Sequence, residues 1–218
     1  HSEFSFDETP CLGIERGRRG TAEERGERRM VVSFDQLETP GHTRFEDYRY
    51  DLNYYKKYIT DWMLHYGNNC WMSLFYDNHD NPRMISKINT DPAYRSSIAA
   101  LLAVMQFTLR GTPFIFQGDE MGLVNYAFES IDEISDIESK NLYSELCKKE
   151  SSDLAFAAIL AGTREHARMM LPWGEKEGGR MYQPADKNIT AIYRRLIKLR
   201  SNDPVLIYGD FEPVDLSR

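Results

Sequence analysis

Residues 71–80 read WMSLFYDNHD, a mostly apolar run of strand length that ends in polar side chains. Strands that are apolar along their whole length are typical of a sheet covered on both faces, as parallel sheets are. The run PFIFQ at 113–117 has the same form and is followed by Gly118, Asp119 and Glu120. The two runs predict two short buried strands, each with polar side chains after its carboxyl end.

Helical segments alternate with these strands. One apolar stripe, predicting a helix over 51–66, contains Leu52, Tyr55, Ile59 and Met63. The same spacing predicts helices over 96–109 and 189–200, and two further strands are predicted at 2–6 and 30–35. Alternating strands and helices predict an α/β fold, with a parallel sheet and right-handed crossovers.

Four other segments complete the organisation of the chain. Residues 118–153 are polar and acidic, and we expect a long loop with short helices there, which is usually functional. Residues 13–29 mix Arg and Glu, which favours a solvated surface over a phosphate site. Residues 174–188 are predicted to form an exposed loop, and the run VLIY at 205–208 to begin another strand.

The composition is ordinary for a globular protein of 218 residues, with 41% hydrophobic and 28% charged side chains. A net charge of −7 argues against a nucleic-acid partner, and no apolar run reaches membrane-spanning length.

The three cysteines, Cys11, Cys70 and Cys147, form no CxxC pair, so we expect buried free thiols in a reducing, cytoplasmic protein. The chain opens on His1 without an apolar leader, so we expect a processed chain or a fragment.

Acidic side chains follow each of the four predicted strands. Glu8 follows the first, Asp35 the second, Asp80 the third and Glu120 the fourth. In parallel α/β sheets this edge carries the active site, so the pattern favours acid/base chemistry or metal binding. Helix N-capping would explain any one of these residues on its own. A metal site of His79, Asp80, Asp119 and Glu120 lacks a ligand spacing such as HxxxH, and we expect neither metal nor cofactor.

Four motifs resemble the α-amylase-type glycoside hydrolases, in the branch of oligo-1,6-glucosidases and α-glucosidases. They occur in the family's order and are FYDNHDNPR at 75–83, GTPFIFQGDEMG at 111–122, FESIDE at 128–133 followed by DIE at 136–138, and REHAR at 164–168 before Trp173. The match runs with few gaps from residue 3 to residue 211. The resemblance implies a (β/α)₈ TIM barrel, of which this chain would supply the second half, strands five to eight, over residues 1–203. Residues 204–218 would begin a C-terminal β-domain.

The resemblance also implies roles for individual residues. Members retain configuration at the anomeric carbon, and Glu8 matches their general acid. Asp80 matches a third carboxylate that binds sugar hydroxyls and favours the distorted ring, and His79 would bond a hydroxyl of the same sugar. Either Arg164 or Arg168 would hold the terminal glucose of an oligosaccharide. The implied activity is hydrolysis of terminal α-glucosidic bonds, while α-1,6 or α-1,4 preference, and hydrolysis or isomerisation, stay open.

Several departures from the family pattern bear on this activity. Asp7 stands where Gly precedes the acid, Met169 and Met170 replace a Thr-Pro pair, and the loop at 174–188 is short. The family's nucleophile lies on strand four, which would precede Glu8, so we expect these residues alone to be inactive. A half-barrel also exposes sheet edges, so we expect it to associate with itself or with the missing N-terminal half. The alternative is a non-catalytic relative that binds carbohydrate or another protein.

Overall fold

The structure is a computed structural model that describes residues 30–66, 71–172 and 185–214. The strand predicted at 2–6, the acid candidate Glu8 and the segment 13–29 lie outside the described residues. The same holds for Cys11, Cys70, Trp173 and most of the loop predicted at 174–188.

A parallel sheet of three short strands organises the described part of the chain. Its strands are β1 (Met30–Val31), β2 (Trp71–Leu74) and β3 (Thr112–Pro113), in the order β1-β2-β3. Met30 pairs with Trp71, and Leu74 pairs with Pro113. The predicted parallel sheet is therefore confirmed, although β1 is shorter than the strand expected at 30–35. A 3₁₀ turn at Asp35–Leu37 follows it.

The third strand is also shorter than the run at 113–117. Beyond Pro113, the Phe114 amide still donates to the Leu74 carbonyl at 2.9 Å, and Gln106 of the preceding helix adds side-chain hydrogen bonds. Its side-chain amide donates to the carbonyl of Leu74 at 2.9 Å and to that of Phe114 at 2.7 Å. Gly111, at φ +144°, brings the chain against the Met72 carbonyl with no room for a Cβ.

Seven α-helices occur in the described residues. They are α1 (Leu52–Tyr66), α2 (Met84–Ile88), α3 (Arg95–Thr108), α4 (Ile137–Leu146), α5 (Ser152–Gly162), α6 (Lys187–Asn202) and α7 (Val205–Tyr208). The helices predicted at 51–66, 96–109 and 189–200 correspond to α1, α3 and α6 and are confirmed. Helices α2 and α5 were not predicted.

The main core lies between the sheet and helices α1, α3 and α6. Tyr55, Ile59 and Met63 of the predicted α1 stripe are buried, whereas Leu52 at the start of the helix is exposed. The stripe predicted for α6 is Ile189, Ile192, Leu196 and Leu199. It agrees less well with the structure, because Tyr193 and Arg200 are buried whereas Leu199 is exposed. Burial of these two polar side chains depends on partners elsewhere in the fold, which helical spacing does not show.

A second core is built largely by the segment 118–153 itself, which contains short helices as expected. It is formed by Met121, Leu123, Phe128, Ile134, Ile159 and Met169. Cys147 ends α4 at the surface and is exposed, so the prediction of a buried thiol is wrong for this residue. Across the described ranges, no helix is long and apolar enough to span a membrane.

Helix α7 replaces the strand predicted at 205–208, and that prediction is wrong. Apolar β-branched residues favour a strand only where a neighbouring strand can pair with them. Here the Asp203 carboxylate accepts from the Val205 amide at 3.0 Å, and the Pro204 carbonyl accepts from the Tyr208 amide at 2.8 Å. The Arg200 guanidinium binds the Leu206 carbonyl at 2.7 Å, which holds the turn against α6.

Candidate active site

Asp80 lies in the loop that follows β2, and Asn78 fixes the conformation of that loop. The Asn78 side-chain oxygen accepts from the Asp80 amide at 2.8 Å and from the Asn81 side chain at 3.0 Å. Such a local side-chain bond stabilises a tight turn. Asp80 thus lies after the carboxyl end of β2, with 44% of its side chain exposed.

Three cationic or potentially cationic side chains surround the Asp80 carboxylate. Arg164 Nη1 and Arg168 Nη2 both lie 3.2 Å from Oδ1, and His79 Nε2 lies 3.2 Å from Oδ2. Arg168 Nε also donates to the His79 carbonyl at 3.0 Å. The structure thus brings together four of the five predicted site residues, and the fifth, Glu8, lies outside the described residues.

Arg164 is held by acidic side chains at the start of α4. Its Nε donates to Asp136 Oδ1 at 2.7 Å, and its Nη2 lies 3.2 Å from Glu138 Oε2. Burial would raise the pKa of Asp136, but hydrogen bonds from Ser139 and Arg164 outweigh it and lower that pKa. The bond to Asp136 raises the pKa of the Arg164 guanidinium. Both groups therefore stay charged, and the arginine is oriented toward Asp80.

A 3₁₀ turn at Arg164–Ala167 begins with one arginine, Arg168 follows it as the C-cap, and buried polar contacts hold the turn. Thr163 caps the turn by accepting from the Glu165 amide at 3.2 Å. His166 accepts from the Tyr126 amide at 3.0 Å, and its other ring nitrogen lies 2.9 Å from the Leu160 carbonyl. Burial lowers the pKa of His166 to about 4, so the ring is neutral at physiological pH.

Arg44 is a site residue that no motif in the sequence indicated. Its Nη1 donates to the Asp80 carbonyl at 2.8 Å, and its Nη2 lies 2.6 Å from Glu138. It comes from the loop before α1, more than thirty residues from its nearest partner in sequence. Only the packing of that loop against the end of α5, where Gly162 touches the Arg44 backbone, reveals the contact.

A second charged cluster lies beneath the Asp80 loop. Arg83 Nη1 lies 3.3 Å from Asp77 Oδ2 and 3.4 Å from Asp119 Oδ1, and its Nη2 donates to the Gln117 carbonyl at 2.9 Å. Asp77 begins the loop, and its other oxygen accepts from the Met84 amide at 2.7 Å. These contacts close the loop 77–83 at both ends.

The other acidic residues at the strand ends do not join the Asp80 site. Asp35 accepts from Ser33 at 2.8 Å, Glu120 accepts from the Gly118 amide at 3.0 Å, and Asp119 is buried beside Arg83. Within residues 30–66, 71–172 and 185–214, no group of three His, Cys, Asp or Glu side chains is arranged to hold a metal ion. The alternative of a metal site on His79, Asp80, Asp119 and Glu120 therefore gains no support.

A charged cluster at the carboxyl ends of parallel strands is the arrangement of an α/β enzyme site. The family model "Alpha amylase, catalytic domain" matches residues 18–209. The chain belongs to this family.

Two curated relatives and two solved structures show how the match is distributed. The chain is 30% identical to oligo-1,6-glucosidase of Bacillus cereus, over 96% of the chain and 42% of the relative. It is 32% identical to palatinase of Erwinia rhapontici, over 89% of the chain and 40% of the relative. Trehalose-6-phosphate hydrolase of Bacillus licheniformis superposes with a TM-score of 0.75 at 28% identity, over 93% of the chain and 40% of that structure. Isomaltulose synthase of Klebsiella sp. LX3 gives 0.74 at 26% identity, over 89% of the chain and 39% of that structure. The chain spans about two fifths of the length of these relatives.

Proposed function

We propose that this chain is part of a retaining α-glucosidase that hydrolyses terminal α-glucosidic bonds in short oligosaccharides. The observation that carries the proposal is the half-exposed Asp80 carboxylate between Arg164, Arg168 and His79. The names of the relatives support the substrate class, since they include oligo-1,6-glucosidase and palatinase. In this proposal residues 1–203 form strands five to eight of a (β/α)₈ barrel with their helices, and residues 204–218 begin a following domain.

The chemistry assigns Asp80 to the sugar at the bond that breaks. A carboxylate offers about four acceptor positions, and the exposed face of Asp80 leaves some of them for sugar hydroxyls. Bonds of this kind hold a distorted ring and strengthen as positive charge develops on it in the transition state. Arg164 and Arg168 keep the carboxylate in place. His79 contacts Asp80 through Nε2, and its 72% exposed side chain leaves the ring accessible to a hydroxyl of the same sugar.

The remaining catalytic groups complete a double displacement. Glu8 would protonate the leaving oxygen, and a nucleophilic carboxylate would lie about 5–5.5 Å from it in a retaining enzyme. The family resemblance assigns that nucleophile to strand four, which none of these residues forms in our proposal. The activity therefore belongs to the intact barrel, and this chain contributes the acid, the third carboxylate and the arginines.

The test is an assay of the intact gene product on isomaltose, maltose and sucrose, with Asp80→Asn and Glu8→Gln variants. Each variant is expected to lower kcat/KM by about 10²- to 10⁴-fold, because each removes a group that acts in the transition state. Asp210→Asn is the matched control, since Asp210 is 99% exposed and lies outside the site. Near-normal turnover by Asp80→Asn would refute its role. Sugar binding by the wild type without turnover would favour the non-catalytic alternative.

A further inference from the structure

The loop that carries Asp80 is closed by an ionisable cluster with unbalanced charge. Arg83, Asp77 and Asp119 form this cluster, in which the side chain of Arg83 is 0% exposed and each aspartate is 6% exposed. One guanidinium thus faces two carboxyls at 3.3 and 3.4 Å. With both carboxyls ionised, the cluster would carry a net negative charge in a buried site, which is strongly unfavourable.

Among residues 30–66, 71–172 and 185–214, no other titratable side chain that interacts with the cluster supplies the missing positive charge. Tyr76 interacts electrostatically with Asp119, and Tyr193 interacts with both aspartates and with Glu120. Burial raises the pKa of both tyrosines, which stay neutral. Lys87 interacts electrostatically with Asp77, but it is paired with Glu38 at 2.6 Å, whose negative charge offsets its own. His166, near Arg83, is neutral for the reason given above.

Water offers little compensation either. The cavity beside Tyr76, Asp77, Asp119 and Tyr193 has a volume of about 10 Å³, at the lower limit for a single water molecule. The two carboxyls lie within hydrogen-bonding reach of each other, and burial first, then the charge of Asp77, raises the pKa of Asp119 well above its ordinary value. A proton between the carboxyls would make the cluster neutral and would supply the donor for that bond.

We propose that Asp77 and Asp119 share a single proton, and that this proton positions the loop carrying Asp80. Asp119 stays bonded to the Phe116 amide at 2.9 Å, and Asp77 stays bonded to Arg83 and to the Met84 amide, so the loops after β2 and β3 are joined. Loss of the proton places two like charges together, pushes the carboxyls apart and releases the loop 77–83. Asp77 and Asp119 are thus positioning residues for Asp80. Only the effect on activity rests on the proposed function.

The direct test is infrared spectroscopy of the intact protein labelled with ¹³C-aspartate, as a function of pH. We expect the wild type to show the band of a protonated aspartic acid at neutral pH and Asp119→Asn to lack it, since the Asn amide replaces the shared proton as a donor. Asp210→Asn should keep the band. Absence of the band from the wild type, or its persistence in Asp119→Asn, would overturn the shared proton. This measurement needs no enzymatic activity, so it stands even if the protein proves not to be a glucosidase.

Stability and the pH profile separate positioning from general structural support. Asp119→Asn gives up one acceptor oxygen and should be only slightly less stable than the wild type at neutral pH. The double variant Asp77→Asn, Asp119→Asn removes both carboxylates that lie beside Arg83 and should be markedly less stable. Above the pH at which the band disappears, we compare how kcat/KM of the wild type and of Asp119→Asn depends on pH. The ratio of the wild-type value to the variant value should fall by about tenfold per pH unit. Superimposable profiles of an active wild type and Asp119→Asn would overturn the positioning role.

Discussion

Arg200→Ala tests whether one buried guanidinium of α6 joins the end of α3, the segment before β3 and α7. Arg200 Nη1 donates to the carbonyls of Phe107, Leu109 and Leu206 at 2.7 to 2.8 Å, and Nη2 donates to that of Gly111 at 2.6 Å. Arg200 is only 7% exposed, and this burial lowers the pKa of its guanidinium. The variant therefore leaves four carbonyls short of a donor and opens a cavity beside the sheet.

The magnitude follows from these four bonds. A hydrogen bond to a charged group is worth about 1.5–3 kcal/mol, but the four share one side chain and some carbonyls regain water, so they do not add. We expect a loss of about 3–5 kcal/mol in the free energy of unfolding, near the upper end for single substitutions. Arg200→Lys should recover part of the loss, because an ammonium group has only three donors.

Urea unfolding of the intact protein measures this loss, with hydrogen exchange to localise it. Arg195→Ala on the exposed face of the same helix is the matched control and should change stability by less than about 0.5 kcal/mol. Amides at 107–111 and 205–209 should exchange faster in Arg200→Ala alone. Equal stability of Arg200→Ala and Arg195→Ala would refute the assigned role.

Three further predictions concern pH, backbone conformation and the orientation of Arg164. The pKa of His166 is about 4 in the folded protein and about 6.5 in the unfolded chain. The free energy of unfolding should therefore fall by up to about 3 kcal/mol as the pH drops from about 6.5 to about 4. His166→Gln should remove this pH dependence in acid titrations. Gly111→Ala should destabilise by about 2–4 kcal/mol in thermal unfolding, because its Cβ would collide with the Met72 carbonyl, whereas Gly41→Ala, with free space around it, should cost about 1 kcal/mol. Asp136→Ala and Ser151→Ala each remove a helix cap, and each should lower the free energy of unfolding by about 1 kcal/mol. Only Asp136→Ala should also lower kcat/KM, because Asp136 binds Arg164. Equal kcat/KM values of the two variants would contradict this link.

Much of the fold was predictable because periodicity depends on local geometry. The buried run at 71–74 and the stripe through Tyr55, Ile59 and Met63 are confirmed as β2 and α1. The prediction at 205–208 was wrong because a strand needs a partner strand, whereas the α7 turn is satisfied by Pro204. Strand β3 ends early although the Phe114 amide still donates to the Leu74 carbonyl, since the Gln106 side-chain amide binds the Phe114 carbonyl where a backbone donor would continue the ladder.

The candidate site shows the same division. Asp80, His79, Arg164 and Arg168 were predicted from motifs, because short stretches of sequence carry their chemistry. Arg44 could not be found in this way, since its bonds to the Asp80 carbonyl and to Glu138 join segments far apart in the chain.

The sequence by itself determined the alternation of strands and helices, the polar residues after each strand and the family motifs. Only the tertiary structure decided which charges are paired and which are buried. Arg164 and Arg168 converge on an exposed Asp80, while Arg83 faces two carboxyls in the interior. The physical reason is that the energy of a charge depends on its distance to other charges and to water, and these distances exist only once the loops after β2 and β3 pack together.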